Sequence, residues 1–379
     1  MKDTSELGPF PRNLQAELKP IFDQTLHSLA YLDAEGNPLQ QLPAFAQTPD
    51  EITALYRAMV LIRTLDQKSI TLQRTGQLGT YASSLGQEAV AVALGTAMQP
   101  DDVLLPSYRD SGALILRGAP LVSILQYWSG DERGLEYGGG CPNDFPITLT
   151  IGAHTTHAVG VAYALKLRGE GQAAVCSIGE GATSKGDFYE AINGAGVWNL
   201  PLVFLISNNQ YAISCHSSSQ TACPTFAQKA IAGGLPALQV DGNDIFAVKH
   251  ALEQALDFSR QGGGAVLIEA VTYRLHDHTT ADDASRYRDK AEVQAARDRE
   301  PLKRIQNFLN ARGWWNDRLE EELVRESRGK VDAAIEEYRQ LPPTEPAALL
   351  FDHLYAQLPK NLEAQQQAAR KLKHPDSHA

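Results

Sequence analysis

Short continuous apolar runs alternate with longer stretches of helical periodicity along most of this chain. Residues 173–178 (AAVCSI) and 202–206 (LVFLI) read as strands buried on both faces. A Gly179-Glu180-Gly181 turn follows the first run. A helix is expected after it, capped by Thr183 or Ser184 and broken at Leu200-Pro201. Strand, turn, helix and strand together make one βαβ unit of a parallel sheet.

The same grammar extends both ways. Upstream, Thr48-Pro49-Asp50-Glu51 signals the start of a helix over 49–75, with Thr48 as N-cap and Pro49 at the first helical position. Apolar residues Ile52, Leu55, Tyr56, Met59, Ile62 and Leu65 recur on one face, and Gly76 ends it. A short strand, 103–105, leads into Pro106-Ser107-Tyr108-Arg109-Asp110. Residues 151–167 read as a helix rich in small residues. Downstream come a strand and turn over 238–244, a helix over 245–260, a buried strand over 266–271 and a charged loop over 274–289. Amphipathic helices follow from 290. This order predicts an α/β fold, a doubly wound and mostly parallel sheet with extra C-terminal helices. Residues 1–48 read as a Pro-rich arm with a turn at Asp33–Gly36 between short strands. Residues 49–330 read as the α/β domain and 331–379 as a helical extension and tail. The Gly-rich stretch 129–145 is expected to be a mobile loop, 224–234 a helix, and 341–346 a linker.

Composition narrows the function classes. Of 379 residues, 43% are hydrophobic and 21% charged, as in ordinary globular proteins. The net charge of −11 offers no basic face for tracking phosphates, so no nucleic-acid partner is expected. No run of apolar residues is long enough for a membrane span, and the N-terminal residues show no apolar core of a secretory signal. The four cysteines lack metal-ligand spacing, and a reducing, cytoplasmic setting is expected.

The chemistry is expected at the strand ends. In parallel sheets ligands gather outside the carboxyl ends of strands. Glu180 ends one strand and Asn209 the next, and a helix N-terminus opens beside them. A carboxylate, an amide oxygen and free N–H groups suit a divalent cation carrying a phosphate, with Mg²⁺ the best match. Between Gly181 and Asn208 lie 26 residues, the length that one crossover helix and strand need. Tyr108-Arg109 follows a strand, where a guanidinium fork suits a diphosphate oxygen and a structural arginine is the alternative. Gly152 allows close approach of a ligand ring, and His154 reads as a hydrogen-bonded structural residue. His278 lies in the segment 273–283, which ends a buried strand in a loop crowded with ionisable groups. It is read either as a proton shuttle or as one histidine of a solvated loop.

Gly179-Glu180-Gly181 followed by Asn208-Asn209 resembles the motif of thiamine-diphosphate enzymes, with Glu180 where that motif has Asp. From about 25 to 365 the chain resembles the α subunit of the E1 component of 2-oxo acid dehydrogenase complexes. LGTYASSLGQEA, PSYRDSGALILRG, GEGATSKGDFYEA, NNQYAIS, QVDGNDIFAV and YRLHDHTTADDASRYR carry that resemblance. It implies the thiamine-diphosphate-binding fold with thiamine diphosphate and Mg²⁺ as cofactors. It further implies that Tyr108 and Arg109 bind the diphosphate, and that Gly152, His154, Gly181 and Ala182 line the cofactor. Glu180, Asn209 and the Tyr211 carbonyl would hold the metal, with Asn209 also touching the cofactor. His278 would be the catalytic loop histidine beside the thiazolium. The implied activity is oxidative decarboxylation of pyruvate with reductive acetylation of the lipoyl domain of E2, in an α₂β₂ heterotetramer with a β subunit. The β subunit would supply the carboxylate that activates the cofactor's pyrimidine. The same chemistry on branched-chain 2-oxo acids is the nearest alternative, favoured by GEG and GWW. A stand-alone thiamine-diphosphate enzyme and a non-catalytic binding module are the further ones.

Overall fold

A computed structural model describes residues 22, 24–140, 142–342, 350–352 and 354–371. The expected linker lies largely outside these residues, as do residues 1–21 and 23 of the N-terminal arm and the end of the tail. Two compact units divide the chain, 1–334 and 335–379. In the second unit a helix spans Lys360–Lys371, and Gln366 Nε2 donates to Asp352 Oδ1 at 2.7 Å.

The first unit is built on a six-stranded, wholly parallel sheet. Its strands are β1 (His27–Leu29), β2 (Val103–Leu105), β3 (Ala174–Gly179), β4 (Leu202–Asn208), β7 (Ala237–Asp241) and β8 (Val266–Val271), in the order β1-β7-β8-β4-β3-β2. Between β4 and β7 lies a small antiparallel hairpin, β5 (Tyr211–Ala212) and β6 (Cys215–His216). The helices are α1 (Pro49–Arg74), α2 (Glu88–Ala97), α3 (Ser111–Leu116), α4 (Leu121–Trp128), α5 (His154–Arg168), α6 (Gly186–Val197), α7 (Ile245–Arg260), α8 (Lys290–Asp298), α9 (Pro301–Ala311) and α10 (Asp317–Gln340).

The buried runs explain the sheet. Residues 174–178 of β3 and 202–206 of β4 are buried throughout, as a strand covered on both faces requires. Ala174, Cys176, Ile178, Leu202, Phe204 and Ile206 pack with Ala158, Val159 and Ala162 of α5 and with Phe188, Ala191 and Ile192 of α6. The opposite face meets α7, which packs on β4, β7 and β8 and is backed by α2. The resulting α/β architecture, one parallel sheet between helices, is the expected fold class.

Several local expectations change. The helix after β3 does not begin at Thr183 or Ser184. A 3₁₀ turn, Glu180–Ser184, comes first, and α6 starts at Gly186. Thr183 is sealed in the interior, and its hydroxyl donates back to the Glu180 carbonyl at 2.6 Å instead of capping a helix. Residues 227–233 form a 3₁₀ segment, not an α-helix. The stretch expected as a mobile loop holds two 3₁₀ turns, Glu132–Leu135 and Gly138–Gly140, and Asp144 forms a buried ion pair with Arg117 at 2.5 Å. The turn at Asp33–Gly36 exists, bracketed by a bridge between Leu32 and Pro38. Its flanking strand β1, however, pairs in parallel with β7. Asp244 holds this edge by accepting from the Tyr31 and Leu32 N–H groups at 2.6 and 2.8 Å.

Candidate active site

The ends of β2, β3, β4 and β8 open on one cavity of about 230 Å³. The β3 end supplies Glu180, Gly181 and Ala182, and the β4 end supplies Asn209. The hairpin adds Tyr211, the segment after β2 adds Tyr108 and Arg109, and the turn into α5 adds Gly152 with His154, the first residue of that helix. His278 enters from the loop after β8. Every residue expected from the sequence thus lies on the same wall system, brought from five separate segments.

The strand-end part is a lattice of backbone and short side chains. Glu180 is buried, at 1% exposure. Its Oε2 accepts the Asn209 N–H and its Oε1 the Gln220 amide, both at 3.3 Å. These are long contacts for a carboxylate, and among the described residues Glu180 forms no ion pair. Burial accordingly raises its pKa, against the lowering effect of these hydrogen bonds and of Arg274. Asn209 Nδ2 donates to Gln87 Oε1 at 3.2 Å, which leaves Oδ1 near the Tyr211 N–H at 3.3 Å. Asn208 turns the other way and donates to the buried Glu269 at 2.8 Å. Gly181 is required by closeness: a Cβ there would lie 2.7 Å from Ala212 Cβ. Gly152 sits at φ +77°, a left-handed conformation that glycine adopts without strain. His154 Nε2 donates to the Ser177 carbonyl at 2.8 Å, which fixes the ring beside β3, and burial lowers its pKa.

The loop part is held by arginines. Arg109 donates through Nη1 to the Ser83 carbonyl and through Nη2 to the His278 carbonyl at 2.6 Å. Its guanidinium also lies 5.1 Å from the Tyr108 ring centroid. Arg274 is fully buried and lines the cavity. It donates to the carbonyls of Tyr211 at 3.0 Å and Ile213 at 2.7 Å, and to the Tyr287 hydroxyl at 2.9 Å. His278 Nδ1 lies 3.1 Å from Arg109 Nη2 and 3.3 Å from Arg274 Nη1. Asp282 completes the loop by accepting from the His278 N–H at 2.8 Å and from the Tyr287 hydroxyl. Burial first, then the two guanidinium charges, lower the His278 pKa to about 4, with Asp282 opposing them.

Arg274, Asp66 and Gln87 were not among the sequence-derived site residues. Asp66 lies on the buried face of α1 and accepts from Tyr81 Oη, Ser83 Oγ and the Ser84 N–H at 3.1, 2.7 and 2.7 Å. It thereby shapes the segment whose Ser83 carbonyl receives Arg109. An acid directly after Leu65 and one turn on from Ile62, on a largely apolar face, was the signal that could have found it. Arg274 comes three residues after β8, a strand buried at every position but its last, which is a comparable signal.

Among the described residues no group of three or more His, Cys, Asp and Glu side chains could hold a metal. The expected set would instead combine one carboxylate with amide and carbonyl oxygens. No helix among the described residues is long and apolar enough to cross a membrane.

Residues 56–347 match the model of the family described as dehydrogenase E1 component. The chain is similar to the pyruvate dehydrogenase E1 component subunit alpha of Staphylococcus aureus (strain Mu50 / ATCC 700699), at 40% identity over 88% of this chain and 90% of that protein. It is similar at 39% identity, over the same shares, to the protein of that name from Staphylococcus epidermidis (strain ATCC 12228 / FDA PCI 1200).

Proposed function

The chain belongs to the dehydrogenase E1 component family, and from that premise we propose that it is the α subunit of a pyruvate-type E1 enzyme. With a β subunit, thiamine diphosphate and Mg²⁺, it would decarboxylate pyruvate and acetylate the lipoyl group of an E2 acyltransferase. A cytoplasmic location goes with this reading. The observation that carries it is the convergence of Glu180, Asn209 and Tyr211 with Arg109 and His278 on one cavity at the sheet's carboxyl edge.

The residues present fit both groups. Glu180 is a buried carboxylate with two long hydrogen bonds and no cationic partner among the described residues. A divalent cation would remove that imbalance, and an all-oxygen set of carboxylate, amide and carbonyl suits Mg²⁺. Glu180, Asn209 and the Tyr211 carbonyl would hold it. Tyr108, Arg109 and the N-terminus of α5 would meet the diphosphate. Gly152, His154, Gly181 and Ala182 would shape the wall, with the two glycines admitting close approach. When bound, thiamine diphosphate supplies the nucleophilic carbon and the electron sink for loss of CO₂. This chain's share is to orient the substrate, to exclude water and to present fixed dipoles and charges to it.

Pyruvate is preferred to a branched-chain 2-oxo acid because the relatives reported above carry that substrate in their names. The test is co-expression with a β partner and measurement of CO₂ release with an artificial electron acceptor. Release should require thiamine diphosphate and Mg²⁺, and kcat/KM should favour pyruvate over 2-oxoisovalerate. The α chain alone should be inactive. Absence of thiamine diphosphate binding by the α–β pair would overturn the reading, and full activity of the lone chain would point to a stand-alone enzyme.

A further inference from the structure

The sheet's carboxyl edge opens on a second cavity, of about 540 Å³. Residues at the ends of β1, β7 and β8 line it, together with Glu292 of α8, Arg299 just after α8 and Arg304 of α9. Two packed tyrosines stand between the spaces. Tyr211 lines the first cavity and Tyr273 the second, with ring centroids 6.2 Å apart. A void of this size, at the edge where parallel sheets take their ligands, has room for a small organic molecule.

The hydrogen bonds of the wall define what would fill it. Its two carboxylates already accept. Asp241 Oδ1 accepts the Asn243 N–H at 2.9 Å, and Oδ2 accepts Arg304 Nη1 at 2.6 Å. Both oxygens of Glu292 accept the Tyr211 hydroxyl, at 3.2 and 3.0 Å. The donors are left over. Arg304 is only 3% exposed, its Nε has no partner, and its bonds among the described residues use Nη1 alone. Arg299 donates through Nε to the Ala295 carbonyl at 3.3 Å, and neither of its Nη groups is bonded among the described residues. His216 Nδ1 accepts the Ser218 N–H at 3.2 Å, so the proton of the neutral ring resides on Nε2, again without a partner among the described residues. Each guanidinium has five donors and no acceptor. Most donors of the two arginines thus lack an acceptor that this chain supplies.

We propose that the second cavity binds a small oxyanion, a carboxylate or phosphate group held by Arg299 and Arg304. Planar guanidiniums meet such groups through two parallel N–H···O bonds. The charge of Arg304 is already balanced by Asp241. Arg299 forms no ion pair among the described residues, and its charge is the one that answers the anion. Burial of Arg304 strengthens the bonds it makes, because the surroundings screen them less than water does. Glu292 has no cationic partner among the described residues and opposes the anion, two helical turns from Arg299.

Isothermal titration calorimetry of the assembled α–β protein tests this, with inorganic phosphate and succinate as the probes. Thiamine diphosphate and Mg²⁺ are present throughout, to fill the first cavity. One anion per α chain is expected. Arg299→Gln should weaken binding about tenfold or more, since it removes charge-assisted bonds. Arg299 makes a single bond within its own helical segment, so its loss leaves the fold intact. Glu292→Gln keeps an acceptor for Tyr211, removes the opposing charge and should tighten binding about threefold. Arg297→Gln deletes the same charge from an exposed position of α8 outside the cavity and should change nothing. Binding of phosphate alone would identify a phosphoryl ligand, and binding of succinate alone an organic acid. Amide hydrogen exchange locates the site, with protection expected at 239–243 and 292–304. Three results would overturn the proposal. One is no binding of either probe. Another is equal weakening by Arg297→Gln and Arg299→Gln, the mark of an adventitious ion only. The third is protection confined to 180–184 and 209–213, which would place the anion in the first cavity.

Discussion

The two halves of the cavity are made in different ways. The Glu180–Asn209 half is backbone at the ends of β3 and β4, in register from Ala174 with Leu202 to Gly179 with Ser207. Its side chains are placed by strands that the core already demands. The Arg274–His278 half is a loop without regular structure from Thr272 to Asp283. Side-chain donors to carbonyls, reaching across from distant segments, hold it in shape. Strand-end sites inherit rigidity from the sheet, whereas a loop site has to build its own. The difference predicts that single substitutions disturb the loop half more than the strand-end half.

Arg274→Met should be the most damaging change. It leaves the Tyr211 and Ile213 carbonyls and the Tyr287 hydroxyl without their donor. Each lost hydrogen bond to a charged group costs about 1.5–3 kcal/mol, and relaxation of the loop recovers part of that. A net destabilisation of roughly 3–5 kcal/mol is expected in urea unfolding, with proteolysis appearing between 274 and 289. An Arg274→Met protein as stable and as protease-resistant as the wild type would erase the contrast between the halves.

Gly181→Ala strikes the strand-end half. The new methyl would start 2.7 Å from Ala212 Cβ, and neither group can swing away. Overpacking of this kind costs about 1–3 kcal/mol. The hairpin should move to relieve it, while β3 and β4 keep their pairing. Amide hydrogen exchange would show the loss confined to 211–216. Spread into 174–178 would mean that the strand ends are less independent than the sheet implies.

The two halves also differed in how readable they were. Apolar runs over 173–178, 202–206 and 266–271 marked three strands to within two residues, because a strand covered on both faces is apolar at nearly every position, Ser177 and Glu269 being the exceptions here. The positions of Glu180 and Asn209 followed directly. His278 was a candidate from its loop, with a solvated histidine as the alternative, and only the resemblance singled it out. Its surroundings were out of reach, because Arg109 and Arg274 meet it across 169 and 4 residues of chain. No local pattern encodes that meeting. Thr183 shows the converse failure. A strong local capping signal lost to burial, since its hydroxyl serves the Glu180 carbonyl and receives Lys229 Nζ at 2.8 Å.

Acid should loosen the loop half first. The folded-state pKa of His278, about 4, lies below the ordinary value of about 6.5. Between these limits the unfolded chain binds the proton more readily than the folded one. The stability due to neutral His278 is complete above pH 6.5 and is lost as pH falls towards 4. About 1–2 kcal/mol should have gone by pH 5. Unfolding measured at pH 7.5 and pH 5 should show this extra loss in the wild type and not in His278→Gln. Identical pH slopes in the two proteins would mean that the imidazole titrates normally and that the arginines do not govern it.

The smallest effect is expected where the halves join. Ile213 lines the cavity at the tip of the hairpin and has φ +55°. A β-branched residue is poorly suited to this left-handed region, at a cost of about 1–2 kcal/mol. Its carbonyl is one of the acceptors that hold Arg274, so the strained backbone is what aims that oxygen at the guanidinium. Asn tolerates the same conformation, and Ile213→Asn should therefore stabilise the chain by about 1 kcal/mol while leaving the Arg274 contact in place. Gly would relieve the same strain but would add freedom to the unfolded chain, and should gain less. Urea midpoints of the three proteins in the order Asn, Gly, Ile would show that the strain is local and borne by the fold. A loss of stability in both variants would show instead that the exposed isoleucine side chain carries packing that outweighs its backbone strain, and that the loop half depends on the hairpin for more than a carbonyl.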